Sequence, residues 1–175
     1  MVPANILVRA IAPADRADWL DMWNGYCAFY EAAVPERVTA RTWQRIVTGD
    51  GGLGALIAVN ADGRPVGFAN YVVHPYTWGE QPCCYLEDLF VRPEARANGI
   101  GAALIERLLA LCTDGGWARL YWMTRAGNAA ARRLYERFGT CDDFVRYTVT
   151  LAGFSFAEPV AFGASRPEIG APGDV

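Results

Sequence analysis

Apolar residues recur with two different periods along this chain, and the two periods predict strands alternating with helices. Alternating or continuously apolar runs predict six strands, at residues 6–11, 53–59, 65–73, 83–91, 118–123 and 145–151. Spacings of three and four between apolar residues predict four helices. The third helix spans about residues 99–112, and its apolar face includes Leu104 and Leu108.

Residues typical of helix ends set the expected boundaries. Pro13 fits the first turn of the first helix, and Thr39 is the expected N-cap of the second, which ends near Gly49. Asn128 is the expected N-cap of the fourth helix, which ends at Gly139. An Asp-Gly pair at residues 62–63 predicts a hairpin between the second and third strands.

This order of elements predicts an α/β (α+β) fold with a mixed central sheet of about six to seven strands. The N-terminal half of the sheet is expected to be antiparallel, and the third helix is expected to join the fourth and fifth strands in parallel. One domain is expected over residues 1–152. Residues 153–175 are rich in glycine, proline and small residues without a period, which predicts a C-terminal tail.

Composition excludes several functional classes. Five cysteines without a Cys-x-x-Cys pair, together with a single histidine, disfavour a zinc site and a disulfide network. A net charge of −3 argues against a nucleic-acid partner and favours a cationic substrate. No apolar run approaches the roughly 18 to 20 residues that cross a membrane. We therefore expect a cytoplasmic protein with no membrane partner and no metal.

The segment between the fourth strand and the third helix has the properties of a phosphate site. Gly99 and Gly101 lack a Cβ and let a diphosphate approach the backbone, while the helix N-terminus offers unpaired amides. Arg96 adds a full positive charge. A dinucleotide fingerprint would need a glycine in place of Leu104, and a P-loop would need Gly-Lys-Ser/Thr, which the chain lacks. A simple strand-to-helix turn is the competing interpretation.

Two motifs resemble those of the GCN5-related N-acetyltransferases, the GNAT family. The segment from Arg96 to Gly101 resembles the family's Arg/Gln-x-x-Gly-x-Gly/Ala loop, and residues 128–139 resemble its Asn-x-x-Ala-x-x-x-Tyr-x-x-x-Gly motif. Residues 85–91 are most similar to the diamine acetyltransferases and the fungal Hpa2-like group. The resemblance implies the GNAT fold, acetyl-CoA (coenzyme A) as cofactor and acetylation of a primary amine.

The resemblance also implies where the cofactor lies. It places the pantetheine arm beside Leu89, Phe90 and Val91, and Arg96 beside the pyrophosphate. The amides that would hold the pyrophosphate are those of Ala97, Asn98, Gly99, Ile100, Gly101 and Ala102. Asn128 would bind the far part of the arm, with small residues up to Ala131 lining it. A pure N-cap is the alternative role for Asn128.

Acetyl transfer to an amine needs a base for the amine and a proton donor for the leaving thiolate. Glu87 is the preferred base, which the resemblance to diamine acetyltransferases favours, and Asp88 is expected to bind substrate. Because Asp88 points to the opposite face of an ideal strand, spacing alone does not choose between the two carboxylates. The resemblance places Tyr135 next to the cofactor sulfur as general acid; a tyrosine that only covers the helix is the alternative.

The first helix offers an aromatic stripe that leads to a carboxylate. Tyr26 and Tyr30 share one face of that helix, and Glu31 follows directly. Aromatic rings beside a carboxylate suit a cation, so we expect these three residues to bind the amine. A purely structural aromatic core is the competing interpretation.

The predicted function is transfer of an acetyl group to a small primary amine by direct attack in a ternary complex. A polyamine-like acceptor ranks first, and a protein lysine or N-terminus ranks next. The alternative is an acyl-CoA-binding sensor without turnover. The alternating final strand also suggests a homodimer that pairs or swaps C-terminal strands.

Overall fold

A computed structural model describes residues 5–149 of the protein, and these form five strands and four α-helices. The strands are β1 (Ile6–Ala10), β2 (Leu53–Asn60), β3 (Pro65–His74), β4 (Cys83–Val91) and β5 (Arg119–Trp122). The helices are α1 (Arg16–Phe29), α2 (Glu36–Thr48), α3 (Ile100–Asp114) and α4 (Ala129–Tyr135). None of the helices in this part of the chain has the length and hydropathy needed to span a bilayer.

The strands form one mixed sheet in the order β1-β2-β3-β4-β5. The first three pairings are antiparallel, and β4 pairs in parallel with β5, with α3 as the crossover between them. The predicted topology is confirmed for these five strands. The hairpin between β2 and β3 turns at Gly63, whose φ of 79° lies in the left-handed region that favours glycine.

Helices cover both faces of the sheet and enclose two separate cores. On one face, α1 and α2 contribute aromatic residues that pack on β2, β3 and β4. The buried members of this aromatic core include Trp19, Trp23, Trp43, Phe68 and Phe90. On the other face, α3 packs an aliphatic core against the same strands. Its buried members include Leu56, Cys84, Leu86, Leu104 and Leu108.

Two sequence predictions about helix ends were wrong. Helix α2 begins at Glu36 after Pro35, one turn earlier than predicted. Thr39 therefore lies inside the helix, where its hydroxyl accepts a hydrogen bond from the Trp23 indole instead of capping. Helix α4 does begin after Asn128 but ends at Tyr135, before Gly139.

The predicted last strand is absent from residues 145–149, the part of it that the structure describes. Val145, Tyr147 and Val149 are 71%, 91% and 77% exposed, so their alternation has no core to face within residues 5–149. Residues 150–151 and the predicted tail at 153–175 lie outside the described residues. The described sheet accordingly has five strands rather than six to seven.

Candidate active site

An opening between β4 and β5 defines the position of the site. The two strands pair only from Cys83 with Arg119 to Leu86 with Trp122, where β5 ends. Strand β4 continues to Val91 with β3 on its other edge. The backbone of residues 87–91 therefore presents an edge without a strand partner among the described residues, to which an extended ligand can add. This geometry fits a pantetheine arm beside Leu89, Phe90 and Val91.

A β-bulge lies where the opening begins. Asn70 is opposite Asp88 and Tyr71 is opposite Leu86, so Glu87 is an extra residue on β4. The extra residue reverses the alternation of the strand, so both Glu87 and Asp88 act on the Tyr26 phenol of α1 and line one cavity at the opening. The bulge therefore brings together two carboxylates that an ideal strand would separate.

Asp88 is half-buried and held by two neighbouring side chains. Its Oδ2 accepts a hydrogen bond of 3.0 Å from the Asn70 amide, and the Tyr26 hydroxyl interacts with the same carboxyl. Burial raises the pKa of Asp88 above its usual range, and the hydrogen bonds from Asn70 and Tyr26 oppose that rise. Burial also raises the pKa of Tyr26, so its phenol stays protonated and donates a hydrogen bond to Asp88.

The cavity beside the carboxylates has a volume of about 1140 Å³ and an aromatic wall. The Tyr26 and Tyr30 rings lie 4.9 Å apart, and both line this cavity with Tyr85 and Tyr121. Two of the three substrate-binding residues predicted on α1 and the turn after it are therefore next to the carboxylates. The third, Glu31, lies on the exposed turn after α1, outside the cavity lining.

Tyr135 reaches the same cavity from the opposite side of the opening. Its ring lies 5.3 Å from that of Trp122, at the end of β5, and it lines the cavity that holds Glu87. Burial raises the pKa of Tyr135 to about 12, so the phenol is protonated at neutral pH. A protonated donor facing the opening is what the predicted general acid requires.

The predicted phosphate segment forms a compact turn ahead of α3. Gly99 is the N-cap of α3 with a φ of 75°, and Ala97 has a φ of 64°. Two of three consecutive residues therefore have the left-handed backbone conformation. The first amides of α3, at Ile100, Gly101 and Ala102, have no partner within the helix by its geometry. Together with the exposed Ala97 and Asn98, they form a surface that fits a diphosphate.

Two residues of this segment have contacts that the sequence did not indicate. The Arg96 guanidinium donates from Nε to the Val91 carbonyl at 3.0 Å and lies 5.8 Å from the ring centroids of both Phe29 and Phe90. A Cβ on Gly101 would come within 3.0 Å of Leu134, so this glycine also allows α3 and α4 to pack closely.

Asn128 is confirmed as the N-cap of α4. Its Oδ1 accepts a hydrogen bond from the Ala131 amide at 3.2 Å, and its Nδ2 donates to the Thr124 hydroxyl at 3.2 Å. One N–H of the amide is engaged with Thr124, and the other is the group that a cofactor would use. Ala131 lies in the first turn of α4, and its place beside the pantetheine arm stays a prediction.

Sequence reasoning missed three residues near the carboxylates. Asn70 and Trp19 are buried and connect Asp88 to α1, and Arg125 lies with its Cζ 5.3 Å from the centroid of the Tyr30 ring. The alternation of β3 does not identify Asn70 as a site residue. A single amide side chain in an otherwise apolar strand could have indicated a buried hydrogen-bond partner. Arg125 lies in a loop, where neither spacing nor burial can be predicted from the sequence.

Comparison with known proteins identifies the class of fold and site. The sequence profile of the acetyltransferase (GNAT) family matches residues 19–140, which is more than half of the chain. The chain therefore belongs to the GNAT family. It is an acyl-CoA-dependent N-acetyltransferase whose cofactor is acetyl-CoA, as the sequence predicts.

Individual relatives agree with this assignment. The chain is 33% identical to the D-amino-acid N-acetyltransferase HPA3 of Saccharomyces cerevisiae over 148 residues, which is 84% of this chain and 92% of that protein. It is 33% identical to the thialysine N-epsilon-acetyltransferase of Bos taurus, over 48% of this chain and 52% of that one. The fold resembles that of the aminoglycoside N-acetyltransferase AAC(6')-Iy in complex with CoA, with a TM-score of 0.70 and 22% identity over 86% of this chain and all of that one.

Proposed function

We propose that this enzyme acetylates a small primary amine that binds at Glu87 and Asp88, by direct attack in a ternary complex. The observation that carries the proposal is the bulge, which turns both carboxylates into one cavity beside the opening of the sheet. An ammonium ion is well matched to two carboxylates and a wall of tyrosine rings.

Asp88, Glu87 and Tyr135 have separate roles in the proposed reaction. Acetyl-CoA supplies the acetyl group as a thioester. Asp88, held by Asn70 and Tyr26, anchors the cationic acceptor, and Glu87 accepts the proton that the amine must lose before its nitrogen forms the new C–N bond. Tyr135 donates a hydrogen bond toward the sulfur that leaves as the C–S bond breaks. Because its pKa of about 12 exceeds the value near 8.5 of an ordinary thiol, the phenol stabilises the thiolate without fully losing its proton.

The acceptor proposed first is a polyamine-like amine, as the sequence predicts. A specific observation favours a second candidate, an amine that also carries a carboxylate. Arg125 lies over the Tyr30 ring, Tyr30 packs on Tyr26, and Tyr26 contacts Asp88, so a cation and two carboxylates share one wall of the cavity. A zwitterionic acceptor would match both charges. The name of the yeast relative, a D-amino-acid N-acetyltransferase, supports the same candidate.

Matched pairs of acceptors test both candidates at once. Free-thiol release from acetyl-CoA is measured with 1,5-diaminopentane and lysine, and with 1,4-diaminobutane and ornithine, using both enantiomers of each amino acid. Members of a pair have the same aminoalkyl chain and differ by one carboxylate. Preference for the diamines supports the polyamine candidate, preference for the amino acids supports the zwitterion, and activity on no amine in a wider panel contradicts the proposal.

Arg125 variants sharpen this test. For Arg125→Leu we expect kcat/KM to fall about tenfold or more for the amino acid, because a charge-assisted contact is lost, with little change for the diamine. Arg133→Leu is the matched control, since Arg133 is exposed on α4 outside the cavity lining. Equal losses for both kinds of acceptor would contradict the second candidate.

We also propose a homodimer in which the C-terminal strands pair or swap. Its support is the unpaired outer edge of β5 within residues 5–149 and the exposed alternation of Val145, Tyr147 and Val149. Sedimentation equilibrium at micromolar concentration is expected to give twice the mass of the chain, and a monomer would contradict this proposal. The cytoplasmic location and the absence of a nucleic-acid partner stay predictions from the sequence.

A further inference from the structure

Two buried side chains and the half-buried Asp88 form a continuous chain of hydrogen bonds from helix α1 to the bulge. The Trp19 indole Nε1 donates to Asn70 Oδ1 at 3.2 Å, and Asn70 Nδ2 donates to Asp88 Oδ2 at 3.0 Å. Trp19 is 1% and Asn70 is 4% exposed, so the first bond is buried in the aromatic core, and the second leads from the core to the cavity. Asn70 lies directly opposite Asp88 in the ladder between β3 and β4. Among residues 5–149, Asn70 is the buried side-chain amide, and it lies beside the carboxylate of the site.

The chemistry of the two ends fixes how the Asn70 amide is oriented. An indole nitrogen can only donate a hydrogen bond, and a carboxylate can only accept one. A flipped amide would place its nitrogen against the indole N–H and its oxygen against Asp88, leaving buried polar atoms unpaired at high cost. Trp19 therefore stabilises the same orientation of Asn70 that the Asp88 carboxylate requires.

The hydrogen bond from Asn70 opposes the effect of burial on the Asp88 carboxyl. Burial raises the pKa of the Asp88 carboxyl, and the Asn70 and Tyr26 hydrogen bonds lower it. Several titratable groups of α1 and β4 lie within electrostatic range of Asp88 or next to it in the chain: Tyr26, Cys27, Tyr30, Tyr85 and Glu87. These groups are neutral or negative, and two cations lie beyond them: Arg125 faces Tyr30 and Arg146 acts on Tyr85. The interactions that lower the pKa of Asp88 itself are the hydrogen bonds from Asn70 and Tyr26, so these neutral donors stabilise its charge before a cationic acceptor arrives.

We propose that Trp19 and Asn70 are positioning residues that hold the Asp88 carboxylate toward the cavity, ionised and in one orientation, for the amine acceptor. The inference rests on the proposed function, in which the amine binds at the carboxylate pair. It assigns Trp19 a role in acceptor binding that its place in a hydrophobic core does not suggest. A role confined to core stability would affect the fold and leave the acceptor kinetics unchanged.

The chain contains a matched control for this proposal. Trp23 lies on the same helix, stacks on Trp19 with centroids 5.4 Å apart, and also donates a buried indole hydrogen bond, to Thr39 Oγ1 at 3.1 Å. That second bond ends on α2 and does not lead to Asp88, although the Trp23 ring also stacks on Tyr26, with centroids 5.6 Å apart, and lines the cavity. Trp19→Phe and Trp23→Phe therefore remove similar rings and similar hydrogen bonds, and only the first interrupts the chain to Asp88.

The kinetic test compares these two variants. For Trp19→Phe we expect the acceptor KM to rise about tenfold while the KM for acetyl-CoA stays within twofold, because the acceptor alone uses Asp88. For Trp23→Phe, which keeps an aromatic ring beside Tyr26, we expect the acceptor KM to rise at most about threefold and the KM for acetyl-CoA to stay unchanged. Equal effects of the two substitutions on the acceptor KM would overturn the proposal.

A second measurement does not depend on turnover. The side-chain carboxyl carbon of Asp88 is followed by carbon-13 NMR from pH 3 to 9 and identified as the signal that Asp88→Asn lacks. We expect its pKa to rise in Asn70→Leu and Trp19→Phe, since a stabilising donor is lost, and to stay unchanged in Trp23→Phe. An unchanged titration in Asn70→Leu would overturn the positioning role. If the proposed function fails, wild type acetylates no amine while this titration still decides the role of Asn70.

Discussion

The two halves of β4 differ in the number of strands that flank them. Residues 83–86 pair with β3 on one edge and β5 on the other, and Cys83, Cys84 and Leu86 are all buried. Residues 87–91 begin with the extra residue of the bulge and pair with β3 alone among the described strands. The two halves therefore have different roles: the closed half serves the core, whereas the open half both packs Phe90 inward and carries the carboxylates and the edge proposed for the cofactor.

The largest expected effect comes from the open half. For Glu87→Gln we expect kcat to fall about 10²- to 10⁴-fold, because the amine loses its proton acceptor. Acetyl-CoA affinity, measured by calorimetry, should be unchanged, since the proposed cofactor contacts lie elsewhere on β4 and α3. Weaker acetyl-CoA binding together with normal kcat would contradict the role of Glu87.

The closed half should respond in the opposite way. Leu86 is 3% exposed in the aliphatic core, so Leu86→Ala should destabilise the fold by about 2 to 5 kcal/mol. Thermal unfolding should show a melting temperature lower by about 10 °C. At a temperature where the variant is still folded, kcat per folded molecule should stay within a few-fold of wild type. A large loss of kcat there would show that the two halves are not separable.

Across the opening, Tyr135→Phe should have a smaller effect, about a tenfold loss of kcat with acceptor KM unchanged, since one hydrogen bond to the leaving thiolate is removed. Because the pKa of Tyr135 is about 12, this residue should add no alkaline limb to the pH–rate profile below about pH 10. The profile of the wild type between pH 6 and 10 measures this. An alkaline limb that disappears in Tyr135→Phe would contradict the pKa assigned to it.

The smallest change is expected for Asp88→Asn, which should have opposite effects on the stability of the fold and on acceptor binding. Burial raises the pKa of Asp88 in the folded state, so its contribution to stability is full at low pH and is lost as pH rises through that pKa. At pH 7 Asp88→Asn should therefore stabilise the fold, by about 1 kcal/mol, while weakening acceptor binding. Urea unfolding at pH 7 and pH 4 should show that this gain shrinks at the lower pH. A variant less stable than wild type at pH 7 would contradict the assigned burial effect.

Much of the fold could be predicted from the sequence, because long periodic segments determine it. The bounds of β4 were predicted to the residue, and β2, β3 and α3 to within two residues at each end. Thr39 was misassigned because threonine is a favoured N-cap residue, whereas here the helix already begins at Glu36 and the Trp23 indole donates to the Thr39 hydroxyl. The last strand was predicted from alternation alone, and alternation does not specify which partner strand a segment needs.

The site was predicted as a set of motifs and not as a geometry. Gly99, Gly101 and Asn128 belong to continuous motifs, so their neighbourhood could be anticipated. The common orientation of Glu87 and Asp88 depends on a bulge, which no pattern of residues in β4 reveals. Tyr26 and Tyr30 meet Asp88 only because α1 crosses the sheet at this point, a tertiary contact between residues far apart in the chain.

The bulge at Glu87 also decides which changes in length β4 can accept. Because the bulge absorbs Glu87, Phe90 stays opposite Phe68 in the aromatic core and Leu89 stays opposite Ala69 in the aliphatic one. Deleting Glu87 would make the ladder regular and leave these pairs in place, whereas flattening the bulge with all nine residues kept would exchange the two side chains between cores of different shape. Enzymes engineered by grafting this strand must therefore keep the bulge together with its extra residue if both carboxylates are to line one cavity.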